Sequence, residues 1–118
     1  MRFRCGVRLN SPAFPFFGHS EFALVFVNIQ AGDVMMFTIN GITMLNLLGL
    51  DMVAGQAARF HFIGLGGHFD LHPIHFHSKT YTHEGLRYQD TINIVPGVVE
   101  TVDILQYRPG TYLAHCHT

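Results

Sequence analysis

Three dipeptides, Asn40-Gly41, Pro96-Gly97 and Pro109-Gly110, cut this chain into apolar runs too short to make stable helices. Asn and Gly tolerate the left-handed backbone of a two-residue hairpin turn, and Pro presets φ ahead of a Gly. The runs between the turns are rich in residues that suit sheets: EFALVFVNI, VMMFTI, AARFHFIGL, TINIV, VVETVDIL and TYLAHCH. AARFHFIGL alternates Arg59 and His61 with Phe60 and Phe62, the period of a half-buried strand. FDLHPIHFH reads as extended chain, with Pro73 confined to an edge or an irregularity. MLNLLGLDM is helical in composition, but its shortness and Gly49 count against a helix. The spacing predicts about seven strands in an all-β, Greek-key β-sandwich.

The bulk numbers bound the function. A chain of 118 residues supports one core, and 48% hydrophobic against 13% charged residues argues against disorder. A formal charge of −1 gives no footprint for nucleic acid or an anionic membrane. No apolar stretch is long enough to span a bilayer. The opening MRFRCGVRLNSPAFPFFG has no uninterrupted apolar segment and no small-residue cleavage site, so no signal peptide is evident.

Nine histidines are the anomaly, and His72, His75, His77, His115 and His117 crowd into two short stretches. Strand side chains alternate faces. His75 and His77 therefore project to one side of their strand, and His115 and His117 to one side of theirs. Cys116 projects the other way, and His72, three residues before His75, also faces away from His75 and His77. Four imidazoles can gather on one face while a thiolate and one imidazole gather on the other. Imidazole suits copper, zinc and iron, and thiolate adds the soft donor that favours copper.

Other chemistries fit less well. A Cys-His nucleophile needs a base beside the sulfur, whereas the histidines flanking Cys116 point away from it. A cupin-type metal site lacks its second histidine motif, because PGVVE carries none. A structural zinc site leaves Cys116 without a role. A disulfide between Cys5 and Cys116 is possible by count, but it would consume the sulfur that the histidines frame. His19, His61, His68 and His83 read as surface or hydrogen-bonded residues.

INGITMLNLLGL, FIGLGGHFDLHPIHFH, DTINIVPGVVETVDI and RPGTYLAHCH resemble, in that order, the cupredoxin (plastocyanin-like) domains of multicopper oxidases, in the ceruloplasmin and hephaestin branch. The likeness runs from about Val34 to Thr118, with EFALVFV similar to the opening strand of such domains; residues 1–19 are unassigned, leaving 20–118 as the copper domain. By position, the resemblance implies that His72 and Cys116 ligate type 1 copper, that His75 serves type 2 copper, and that His77, His115 and His117 serve the type 3 pair. It implies electron entry at type 1 copper from a small reducing substrate, passage through Cys116 to His115 and His117, and reduction of O2 to water at a trinuclear cluster. That cluster is shared with another cupredoxin domain, of the same longer chain or of a second copy. The setting implied is extracellular or periplasmic.

The family's second type 1 histidine and axial methionine follow the HCH motif, and this sequence shows neither. The domain is therefore expected to lack its final strand, to leave a sandwich edge unpaired, and to be a part of a larger oxidase that is inactive by itself. A non-catalytic cupredoxin-like structural module and a copper-storage protein are the alternatives.

Overall fold

The computed structural model describes residues 2–3, 6–11, 20–67, 70–105 and 107–117. The described residues form eleven strands: β1 (Arg2–Phe3), β2 (Gly6–Ser11), β3 (Ser20–Ala31), β4 (Val34–Ile39), β5 (Ala57–Gly64), β6 (His72–Phe76), β7 (Tyr81–His83), β8 (Leu86–Gln89), β9 (Thr91–Ile94), β10 (Val99–Leu105) and β11 (Gly110–Cys116). They form a seven-stranded sheet of order β1-β4-β3-β5-β10-β7-β8 and a four-stranded sheet of order β2-β11-β6-β9. The fold is the all-β, cupredoxin-like sandwich expected. Among the described residues there is no helix, including over MLNLLGLDM, and none long and apolar enough to cross a membrane.

The turns do what their residues permit. Asn40 and Gly41 both take positive φ, 52° and 76°, while Ile39 and Ile42 exchange both backbone hydrogen bonds at 3.0 and 2.9 Å. Asn40 also ties this hairpin to β3, its Oδ1 accepting from the Val25 amide at 2.7 Å. At the end of β5, a Cβ on Gly64 would lie 2.2 Å from the Val95 carbonyl oxygen, so only glycine lets the Pro96-Gly97 turn pack there.

Phenylalanines fill the space between the sheets. Phe26, Phe60, Phe62 and Phe76 are each at most 1% exposed, joined by Leu24, Ile39, Met52, Ile74, Ile94 and Ile104. Their rings meet edge-on or offset at centroid distances of 5.4 to 6.1 Å, contacts worth about 0.5–1.5 kcal/mol each beyond the area they bury. Truncating one such ring to alanine costs about 3–5 kcal/mol.

One expectation needs correcting. β11 is not at an unpaired edge: β2 pairs with it antiparallel from Ser11↔Gly110 to Gly6↔His115. Of the two places expected for Pro73, an edge or an irregularity, the edge is excluded, for β6 runs between β11 and β9. Pro73 is tolerated because the β11 ladder ends at Cys116↔Ile74, one residue short of it. At that point only the Pro73 carbonyl is used, accepting from the His117 amide at 2.7 Å.

Candidate metal centre

β6 and β11 lie side by side, with Ala114 opposite Phe76, His115 opposite His75 and Cys116 opposite Ile74. Burial alternates along both. His72, Ile74, Phe76, Ala114 and Cys116 face the core, while His75, His77, His115 and His117 lie on the other face, half-buried or exposed. The same two strands thus present one chemistry inward and another outward.

On the inner face, Cys116 is a buried thiol, 6% exposed. Cys5, the disulfide partner possible by count, lies outside the described residues. His72 lies on the strand position diagonal to Cys116, a relation that sets Cα atoms about 7–8 Å apart in a regular ladder. The His72 ring packs on Phe26 at a centroid distance of 5.8 Å. Its Nε2 is buried, and among the described residues no polar atom reaches it. An orphaned nitrogen in a dry core is costly unless a ligand takes it. Burial pushes the His72 pKa down, against a smaller upward pull from Asp70, so its lone pair stays available. Asp70 is itself buried, accepting from the Gly67 amide at 2.8 Å and from the Asn28 side-chain amide.

On the outer face, four imidazole rings form a cluster with centroids 4.8 to 5.7 Å apart. Two of them are fixed from behind. His115 Nδ1 lies 2.7 Å from the Cys116 carbonyl, and His75 Nδ1 lies 2.9 Å from the Asp90 carbonyl. A carbonyl only accepts, so each Nδ1 donates, which leaves each Nε2 as the nitrogen that presents a lone pair, turned away from its own backbone anchor. This is the arrangement by which outer partners orient metal-binding histidines. His77 Nε2 sits 2.9 Å from His115 Nε2. Burial lowers the His115 pKa, the Cys116 carbonyl opposes that, and the His77, His75 and His117 rings push it further down.

Among the described residues no three His, Cys, Asp or Glu side chains already converge on one point as a closed metal site. The imidazoles pair with one another instead. The donor set nevertheless fits copper on both faces: soft sulfur with an orphaned imidazole inside, and carbonyl-anchored imidazoles outside. His61 and His83 are engaged elsewhere, His61 with Glu21 at 2.6 Å and Thr101 at 2.8 Å, His83 with Glu100 at 2.7 Å. His19 and His68 lie outside the described residues. Sequence reasoning passed over Asp70, whose signal was a Gly-x-x-Asp turn entering β6, and Lys79, a cation that folds inward.

No family model matches the chain. It is 38% identical over 84 residues to ceruloplasmin of Homo sapiens, covering 70% of this chain and 8% of that protein. Hephaestin of Homo sapiens is 38% identical over 84 residues, covering 70% of this chain and 7% of that one. The chain thus spans less than a tenth of the curated relatives it matches. The solved structure of a blue copper oxidase from Nitrosomonas europaea superposes with a TM-score of 0.71 at 22% identity, over 83% of this chain and 37% of that one.

Proposed function

This chain belongs to the cupredoxin domains of multicopper oxidases, in the ceruloplasmin and hephaestin branch, and we propose that it is a copper-binding redox domain of a larger oxidase. The copper domain spans residues 20–118. His72 and Cys116 hold type 1 copper; His75 serves type 2 copper, and His77, His115 and His117 serve the type 3 pair. When bound, copper supplies one-electron oxidation of a small reducing substrate and reduction of O2 to water. The setting is extracellular or periplasmic.

The observation that carries this reading is the division of donors across one sheet. A buried sulfur and an orphaned imidazole nitrogen face inward, while four imidazoles face outward. Cys116 is covalently continuous with both His115 and His117 through single peptide units, so the chain itself joins the two environments. The aromatic core keeps water from the inner pair. The Asp90 and Cys116 carbonyls hold His75 and His115 in the tautomer that offers Nε2 outward. Four imidazoles are too few for three coppers, so a second cupredoxin domain supplies the remaining donors.

Copper loading of the chain and of Cys116→Ser tests the reading. Metal analysis should find copper in both, with a thiolate-to-copper absorption that is weak in the parent, which shows neither the second type 1 histidine nor the axial methionine, and that is lost in the variant. Copper uptake and spectrum that are indifferent to Cys116→Ser would favour storage by the outer imidazoles instead.

A further inference from the structure

β6 is gripped unevenly along its length. Its ladder with β11 stops at Ile74, opposite Cys116, so among the described residues His72 has no partner in β11. On the other side His72 pairs with Ile94 of β9. Pro73 restricts the backbone of His72 to extended conformations but does not say where in the sandwich that backbone sits. The end of the strand that carries the His72 ring therefore needs a further anchor.

The loop between β5 and β6 supplies it from the opposite sheet. The Leu65 amide donates to the Phe26 carbonyl of β3 at 2.9 Å, and two residues along β3 the Asn28 Nδ2 donates to Asp70 Oδ1. Asp70 is only 6% exposed. Its Oδ2 accepts from the Gly67 amide at 2.8 Å, while its own amide donates to the Gly67 carbonyl at 3.1 Å. A carboxylate offers only acceptors, and both oxygens here meet donors. Facing that carboxylate fixes the Asn28 amide with its oxygen turned away, where it is buried and has no partner among the described residues. An orphaned amide oxygen is costly, and the bond to Asp70 offsets it. Phe26 and Asn28 project from the same face of β3. One lays its ring on His72 at a centroid distance of 5.8 Å, and the other holds the residue two places before it.

We propose that Asp70 is a positioning residue for His72: clasped by Asn28, it fixes the start of β6 so that the imidazole stands on the inner face with the Cys116 sulfur before any metal arrives. Donors held in place by such partners need no rearrangement on binding. The consequence for copper rests on the reading of His72 and Cys116 as type 1 ligands. The positioning itself belongs to the copper-free chain.

Nitrogen-15 spectra of the copper-free chain test it, with the His72 ring signals identified by their absence from His72→Phe. Asp70→Asn turns one acceptor into a donor at nearly unchanged size, so the new side chain cannot serve both the Asn28 and the Gly67 amides. It should shift the His72 ring signals and leave those of His61 and His83 in place. Asn28→Ala removes only the tether from β3; it should shift the same signals and keeps the test decisive if Asp70→Asn fails to fold. Exchanging the two residues, Asn28→Asp with Asp70→Asn, rebuilds both hydrogen bonds with the polarity of the clasp reversed. The His72 signals should then return toward their parent positions, a rescue that general loss of stability does not allow. In the copper-loaded chain, the thiolate-to-copper absorption should weaken in Asp70→Asn and recover in the exchange. His72 signals that stay put in the single variants, or that fail to return in a folded exchange variant, would overturn the proposal. A parent without any thiolate-to-copper absorption counts against the copper reading alone, and the copper-free spectra still decide the role of Asp70.

Discussion

On the seven-stranded sheet, His61 and His83 each face a carboxylate, Glu21 at 2.6 Å and Glu100 at 2.7 Å. On the four-stranded sheet, His75 and His115 face backbone carbonyls, and all four outer imidazoles face one another. The company kept by each group separates two uses of one residue type. A carboxylate takes a ring nitrogen into a short hydrogen bond and leaves it occupied. A carbonyl engages Nδ1 and turns Nε2 toward the neighbouring rings, and those rings add to the lowering of the His115 pKa. The second arrangement is that of a metal donor.

The contrast can be broken most directly by copper titration. Replacing both His77 and His115 with alanine should weaken copper uptake at least tenfold, about 1.4 kcal/mol or more. Replacing both His61 and His83 with glutamine should leave uptake unchanged. Equal losses in the two double variants would show that their surroundings do not distinguish them.

Next in size is Gly66→Ala. Gly66 has a φ of +123°, and an added Cβ would fall 1.8 Å from Asp70 Oδ2. Strained backbone alone costs about 1–3 kcal/mol, and displaced Asp70 would also loosen the loop entering β6. A denaturant melt should show the loss; an unchanged midpoint would mean that the loop absorbs the methyl freely.

The pH dependence sharpens the same point. His72 and His115 both titrate below the ordinary imidazole value of 6.5 in the folded chain. The unfolded chain therefore binds protons first as pH falls. Their contribution to stability is complete above 6.5 and is lost as the pH drops through the lowered folded values. His72→Phe, which keeps the ring volume, should flatten this dependence in copper-free melts, and an unaltered slope would contradict the assignment. Smallest of all, His61→Gln or His83→Gln should cost about 0–1 kcal/mol each, as the loss of a part-exposed side-chain contact does.

Much of this was legible in the sequence, for identifiable reasons. Period-two alternation placed Cys116 and His72 opposite the other four histidines because a strand offers a side chain only two directions. Asn40-Gly41 marked its hairpin because few residues accept two consecutive positive φ values. Against the seven strands expected, the described residues form eleven, the extra ones mainly where apolar runs are absent. THEGLRYQ folds as the β7–β8 hairpin with no hydrophobic signature, and β1 and β2 come from the stretch that matched nothing. The burial of Lys79 was not legible either, since it depends on Tyr112, a residue 33 positions away whose ring only the folded sheet brings beneath it.

The pairing of His115 with His75 has one more consequence. Sliding β11 by a single residue against β6, with its side chains rotated to suit, would turn the sulfur toward solvent and drive imidazoles into the phenylalanine layer. Composition and overall architecture would survive such a slip almost intact, while both groups of donors would be dismantled together. The alignment of two short strands is therefore a chemical instruction in its own right, and the side chains that lock it matter as much as those that would touch metal.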